Sequence, residues 1–205
     1  MRLFCLNLWD NMMDYTILVN KQNPLSSDYV PEGLVEIHEP TGCKLDKTYV
    51  NRLNVEVYKA FKKMQKAALK EGYEIFVDSS YRTYEYQERV FNKTVSDKGM
   101  EYAKMYVAQP GGSEHQTGLA MDIIFRRNNE MIEEQKEDDP EIQWLFANAH
   151  KYGFILRYPK GKEKVTGVNF EPWHFRYVGQ ELSEKLFASD MTLEEYYSSQ
   201  KNKID

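Results

Sequence analysis

The sequence predicts an α+β fold, because segments with helical and with strand patterns follow one another without a regular βαβ rhythm. The length of 205 residues suits one domain. Hydrophobic residues make up 41% of the chain, which excludes a disordered or a membranous protein. We expect an N-terminal extension at residues 1–16 and a single domain at residues 17–205.

Charge and cysteine content narrow the possible functions. The formal net charge of −5 argues against a nucleic-acid partner. No run reaches the ~18 apolar residues of a membrane span, and the apolar patch near the N-terminus is too short for a secretory signal. We therefore expect a cytoplasmic protein. The alternative is an exported protein, if a leader precedes this sequence. Cys5 and Cys43 lack CxxC spacing, so any metal must be held by histidine and carboxylate.

The first half of the chain gives a turn-rich opening and then regular elements. Residues 17–45 carry three prolines and two glycines and predict an extended segment. A helix is expected from Asp46 to Gly72, with Asp46 or Thr48 as its cap. One apolar stripe follows the helical spacing, at Val57, Phe61, Met64 and Ala68.

The remaining elements follow from shorter signals. Residues 73–80 predict a strand, residues 83–99 a helix, and Glu101 to Ala108 a third helix. Residues 110–118 form a glycine-rich loop before a buried strand at 119–125.

Towards the C-terminus, Asp139-Pro140 starts a helix that Gly153 ends. Strands are expected at 154–159 and, after a turn, within 169–179. Thr192 and Glu195 have capping-box spacing for a last helix.

Two of the four histidines are hard to explain by packing. His115 lies in a polar loop, and His174 follows Glu171 by three residues. His38, beside a proline, is expected at the surface, and His150 lies in the last turn of a predicted helix, where a cationic or hydrogen-bonding histidine is favourable.

Asp122 is a carboxylate within a strand of apolar residues. Burying it unpaired costs several kcal/mol, which a metal ion or an arginine would offset. His115 stands seven residues earlier, ~23 Å away in an extended chain. The two can share a zinc ion only if the chain reverses between them, and Gly118 offers the reversal point.

His174 is the candidate for a third ligand. The proline in Glu171-Pro-Trp-His174 disfavours a helix, so this is not the helical HExxH arrangement. Two histidines and one aspartate leave the fourth tetrahedral position to water, as in catalytic zinc sites. Glu171 is then the natural general base for that water. Glu114 is the nearest alternative in sequence, but it would point away from the site of His115 if the loop is extended there.

Arg82 lies between a predicted strand and the predicted helix that follows it. Its guanidinium could hold a substrate carboxylate, stabilise a developing oxyanion, or form a salt bridge with a neighbouring acid. The residues alone leave these roles open.

Several motifs together resemble the VanY/VanXY/LdcB group of D-alanyl-D-alanine carboxypeptidases: SSYRT, SEHQTGLAMD and EPWHFRYVG, which fit SxHxxGxAxD followed by ExxH. The stretch KYGFILRYPKGKEKVTGVNFEPWHFRYVG is similar to the VanXY branch, whose members act in the bacterial cytoplasm. The similarity covers about residues 17–197.

The resemblance implies a hedgehog/DD-peptidase-like fold, with a small central antiparallel sheet flanked by helices. It implies Zn²⁺ held by His115, Asp122 and His174, with Glu171 as catalytic base. It also implies that Arg82 contacts the substrate. The residues implied to line or shape the pocket for the terminal D-residue are Gln87, Ser113 and Trp173.

The function implied is hydrolysis of the C-terminal D-Ala of peptidoglycan precursor peptides. A D,D-dipeptidase, an L,D-carboxypeptidase and a phage-like endopeptidase would use the same apparatus. A non-catalytic zinc-stabilised cell-wall binding module is disfavoured, because such modules lose the base or the ligands. A serine penicillin-binding protein is excluded by the missing SDN and KTG motifs.

Overall fold

The computed structural model describes residues 14–40 and 49–201. Seven strands lie in these ranges: β1 (Leu34–Glu36), β2 (Arg52–Asn54), β3 (Glu74–Ser79), β4 (Ala120–Arg127), β5 (Glu130–Ile132), β6 (Phe154–Leu156) and β7 (His174–Tyr177). The α-helices of these ranges are α1 (Val55–Lys70), α2 (Tyr84–Lys98), α3 (Met100–Tyr106), α4 (Pro140–Asn148), α5 (Glu163–Thr166), α6 (Gln180–Ser189) and α7 (Leu193–Lys201). Short 3₁₀ helices span Glu114–Thr117 and Ala149–Tyr152.

The central sheet is antiparallel, with the strand order β3-β4-β7-β6, and β5 pairs with the far end of β4. Strands β1 and β2 form a separate two-stranded sheet. This arrangement confirms the predicted α+β class with a small central antiparallel sheet. Within the described ranges, none of the helices has the length and apolar character needed to cross a membrane.

Helix α1 begins later than the sequence predicted. The proposed start at Asp46 is wrong, because residues 52–54 form β2, and Asn54 caps the helix by accepting a hydrogen bond from the backbone N–H of Glu56. Strand β2 is defined by its pairing with the distant strand β1, which the spacing of apolar residues along the chain does not predict. Asp46 and Thr48, the expected caps, lie outside the described residues, as do Cys5 and Cys43. The predicted apolar stripe of α1 is buried throughout.

Other local predictions are confirmed. The helix predicted at residues 83–99 is α2, which ends at Gly99 as expected, and its first turn is capped by the Thr83 side chain. Thr192 and Glu195 form both hydrogen bonds of the capping box, at 3.2 and 2.8 Å. The loop at residues 110–118 is more ordered than expected, because it contains the 3₁₀ helix Glu114–Thr117. His38 is exposed, as predicted.

One face of the central sheet packs into the hydrophobic core, and the other carries the candidate metal-binding side chains. Met121, Ile123 and Phe125 of β4 belong to the same buried cluster as the apolar stripe of α1 and the buried residues of α4. Because side chains alternate along a strand, Asp122 projects from the opposite face. On β7, Phe175 joins the same core, so His174 lies on the face that carries Asp122.

The boundary between an extension at residues 1–16 and a domain at residues 17–205 stays a prediction. The described end of that extension lies against the domain. Tyr15 packs edge-on against Tyr177 at 5.2 Å, and its carbonyl accepts a hydrogen bond from Arg176.

Gly118 offers a test of the chain reversal that precedes β4. It has φ 68° and ψ 11°, and a Cβ there would lie 2.7 Å from the Leu34 side chain. Gly167 has nearly the same conformation, φ 70° and ψ 12°, with open space around it. We expect Gly167→Ala to cost about 1 kcal/mol from backbone strain and Gly118→Ala roughly 1 kcal/mol more, because Leu34 must also move. Urea unfolding measures both, and equal losses would contradict the packing argument.

Candidate metal site and cleft

The register of the central sheet brings distant parts of the chain into one row. Ser79 of β3 pairs with Asp122 of β4, which in turn pairs with His174 of β7. An irregularity in β3 between Val77 and Ser79 shifts the pairing just before this row. Residues that are about 50 positions apart in sequence therefore meet on one face of the sheet.

His115 reaches this row from the 3₁₀ helix Glu114–Thr117. Gly118 follows in the left-handed conformation and turns the chain into β4, as the sequence predicted. The Nδ1 atom of His115 lies 2.7 Å from the carbonyl of Ser80. Since a carbonyl only accepts, Nδ1 carries the hydrogen and Nε2 is left with its lone pair, 3.4 Å from Asp122.

His174 faces the same carboxylate with Nδ1, whereas His115 faces it with Nε2. Its Nδ1 lies 3.0 Å from Oδ1 of Asp122. One ligand atom from each of His115, Asp122 and His174 lies within 4.8 Å of the others. Two imidazole nitrogens and one carboxylate oxygen are a donor set that zinc prefers, so these residues fit the metal expected from the sequence.

The protonation of the three side chains differs in ways that matter for a metal. Burial and the charge of Arg82 lower the pKa of His115 to about 4, which makes it a neutral imidazole at pH 7. Burial also acts to lower the pKa of His174, but hydrogen bonds to Asp122 and Glu114 raise it to about 9. Burial alone would raise the pKa of Asp122, yet the neighbouring His115, His174 and Arg82 hold it well below the usual range.

Glu171 lies beside these residues but outside their row. Its carboxylate is 3.9 Å from Nδ1 of His174, and its side chain is largely buried. Burial raises its pKa to about 7. A carboxyl group with such a pKa can both take up and release a proton near neutral pH.

Arg82 forms the salt bridge that the sequence left as one of its alternatives. Its Nη2 donates to Oδ2 of Asp122 at 3.0 Å and to the Ser79 hydroxyl at 2.9 Å. Its Nη1 lies 3.4 Å from the Gln87 side chain. The guanidinium also lines a cleft, so the ion pair with Asp122 and a contact with a ligand are compatible.

The cleft beside the candidate metal site brings together the residues that the sequence proposed for catalysis, substrate binding and metal binding. Gln87, Ser113 and Trp173 line it, together with Arg82 and Glu171. Gln87 and Ser113 are buried, and Gln87 donates to the carbonyl of Ala108 at 2.8 Å.

Sequence reasoning missed three residues next to this site. Glu114 was expected to point away, and Arg157 and Arg176 were not considered. All three side chains are fully buried, and both arginines donate hydrogen bonds to the Glu114 carboxylate. The signal was present, because Arg157 and Arg176 interrupt apolar strand segments as Asp122 does, and a buried charge needs a partner.

Residues 50–180, more than half of the chain, match the VanY family, described as D-alanyl-D-alanine carboxypeptidase. The chain belongs to the VanY family. The chain is 36% identical over 182 residues to the bifunctional D-Ala-D-Ala dipeptidase and D-Ala-D-Ala carboxypeptidase VanXYC of Enterococcus gallinarum, covering 88% of this chain and 92% of that protein.

Solved structures of VanY-family relatives have the same fold. The LD-carboxypeptidase LdcB superposes with a TM-score of 0.78 at 44% identity, covering 88% of this chain and 84% of that one. A vancomycin-resistance D,D-pentapeptidase VanY in complex with Zn(II) superposes with a TM-score of 0.76 at 32% identity, covering 90% and 99%.

The high pKa of His174 gives a prediction for metal binding. At pH 6 to 8 its ring carries a proton that zinc must displace, so the zinc Kd should tighten by about tenfold per pH unit in this range. Competition with a chromophoric chelator, corrected for its own protonation, measures the slope. His150→Gln is the control, because His150 stacks on Phe187 away from the cleft, and it should keep the wild-type slope. A Kd independent of pH would contradict the prediction.

Proposed function

We propose that this protein is a zinc-dependent carboxypeptidase that hydrolyses the C-terminal D-Ala of peptidoglycan precursor peptides. The observation that carries the proposal is the convergence of His115, Asp122 and His174 beside Glu171 in one cleft. Membership of the VanY family supports the reaction class, and the relative solved with Zn(II) supports the metal.

In this proposal, His115 Nε2, His174 Nδ1 and the Asp122 carboxylate hold the zinc ion. A zinc ion bound there supplies Lewis acidity, which polarises the scissile carbonyl and makes water more acidic. Asp122 stays ionised at neutral pH and His115 stays neutral, so both are ready to act as ligands.

Glu171 is the proposed general base. Its position within 4 Å of His174 and its pKa of about 7 suit a group that takes a proton from the attacking water. The same carboxyl group then gives that proton to the amine of the leaving D-Ala as the C–N bond breaks.

The proposed role of Arg82 is to stabilise the negative charge that develops on the substrate oxygen. Its contacts with Asp122 and Ser79 hold the guanidinium in place before the substrate arrives. Gln87, Ser113 and Trp173 are the proposed walls of the pocket for the terminal D-residue.

Two other substrates are supported by particular relatives. The 44% identity to LdcB favours an L,D-carboxypeptidase that trims tetrapeptides as the second candidate. The match to the bifunctional VanXYC keeps hydrolysis of free D-Ala-D-Ala as a third. All three use the same catalytic residues and differ in the length and chirality of the peptide that the cleft accepts.

We also propose a cytoplasmic location in a bacterium. The support is the resemblance to the VanXY branch and the match to nearly the full length of VanXYC. Cell fractionation with an antibody to the native protein tests this location.

Products identify the substrate class directly. We expect mass spectrometry to show loss of one D-Ala from a D-Ala-D-Ala-terminated pentapeptide, and little cleavage of the corresponding tetrapeptide. Glu171→Gln should keep the zinc ion and lose most of kcat, because only the proton carrier is removed. Faster release of D-Ala from the tetrapeptide would replace the proposal by the L,D-carboxypeptidase. A normal kcat for Glu171→Gln would assign the base elsewhere.

Arg82 is tested by separating kcat from KM. If it stabilises the oxyanion, Arg82→Ala should lower kcat by about 10²–10³ with zinc content retained. Arg82→Lys should rescue poorly, because a point charge does not reproduce the planar fork that contacts both Asp122 and Ser79. A raised KM with unchanged kcat would assign Arg82 to binding of the substrate carboxylate instead.

A further inference from the structure

A buried charge cluster lies behind the metal site, formed by Glu114, Arg157, Arg176 and Glu194. Oε1 of Glu114 accepts hydrogen bonds from Arg157 Nε at 2.7 Å and from Arg176 Nη1 at 2.8 Å. Arg157 donates in turn to both carboxylate oxygens of Glu194 in α7, at 2.8 and 2.6 Å. The side chains of Glu114, Arg157 and Arg176 have no exposed surface.

The second oxygen of Glu114 takes no part in these bonds. Oε2 is buried and has no hydrogen-bonding partner among the described residues, and the same is true of Nε2 of His174. The two atoms face each other at 3.5 Å, slightly beyond an ordinary hydrogen bond. A buried polar atom without a hydrogen-bonding partner destabilises the fold, so a hydrogen bond between these two atoms would be favourable.

The nitrogen of His174 that would bind a metal determines whether Nε2 carries a hydrogen. The nitrogen of His174 that faces Asp122 is Nδ1, so a metal shared with Asp122 takes the Nδ1 lone pair. A neutral imidazole with its lone pair on Nδ1 carries its hydrogen on Nε2. That N–H points at Oε2 of Glu114, a carboxylate oxygen that is free to accept.

We propose that Glu114 is a positioning residue for the zinc ion, which accepts a hydrogen bond from Nε2–H of His174 and thereby fixes the tautomer and the orientation of that ligand. The inference rests on the zinc site of the proposed function and is independent of the substrate. His115 has the matching arrangement, since its Nδ1–H donates to the Ser80 carbonyl. One zinc ligand is thus oriented by a backbone carbonyl and the other by a buried carboxylate.

The arginines explain why a carboxylate is needed at this position. They require an acceptor on one side of Glu114, and Nε2–H of His174 requires an acceptor on the other. The amide of glutamine offers only one oxygen, so its NH₂ group must face either the two arginines or the imidazole. Facing the imidazole, it would favour the tautomer with hydrogen on Nδ1, which blocks the metal.

Glu114→Gln tests the proposal through zinc affinity, measured without substrate by competition with a chromophoric chelator. We expect the zinc Kd to weaken by about 10–100-fold, the usual effect of removing such an outer partner. The rise in Tm on adding zinc to the chelator-treated variant should shrink accordingly.

Glu194→Gln is the matched control. It removes a carboxylate from the same arginine, Arg157, without touching His174. We expect it to lower the Tm of the metal-free protein while the zinc Kd stays within about twofold of wild type. Equal weakening of zinc binding in both variants would overturn the proposal and assign Glu114 a structural role, as would a wild-type Kd in Glu114→Gln.

A second measurement applies to the wild-type protein and does not depend on the variant folding. In the zinc-loaded protein, ¹⁵N-labelled histidine spectra should show His174 protonated at Nε2, with a hydrogen that exchanges slowly. A proton on Nδ1, or rapid exchange at Nε2, would overturn the proposal. Zinc binding with this signature but without peptide hydrolysis would refute the proposed function alone.

Discussion

The carboxylate of Asp122, buried in the middle of the central sheet, is the constraint on which the rest of the site depends. Burying it without partners would cost several kcal/mol, a large part of the stability of a domain of this size. Arg82, His115 and His174 offset that cost, and each comes from a different segment. The same charge that fixes these segments around β4 belongs to the group that could hold a metal ion, so fold and candidate site depend on one set of contacts.

The local predictions succeeded where the cause was local. The helix ending at Gly99, the reversal at Gly118 and the capping box of Thr192 depend on residues a few positions apart, and the structure has each of them. The start of α1 was wrong because β2 is defined by its pairing with β1, which the sequence pattern does not record. The sequence singled out Asp122 because a carboxylate in an apolar strand is improbable unless something compensates its charge, and the structure brings it together with His115 and His174.

Glu114 was misjudged for a geometric reason. In an extended loop, neighbouring side chains alternate, which would turn Glu114 away from the site of His115. The segment is a 3₁₀ helix instead, and it places both side chains around His174. The ring of His115 meets that of His174 edge-on at 4.9 Å, while Glu114 faces Nε2. The arginines that hold Glu114 lie 43 and 62 residues away in sequence, beyond the reach of any local pattern.

The two candidate histidine ligands are therefore unequal. His115 is neutral at pH 7 and oriented by a carbonyl, so it is prepared to bind a metal before one arrives. His174 lies between two carboxylates, which favour its protonated form in the metal-free protein. Competition with that proton would weaken metal binding at low pH, but the hydrogen bond proposed from Nε2–H to Glu114 would make the ring a stronger donor once the proton has left. Near neutral pH, the proton on His174 is thus the main competitor of a metal ion at this site.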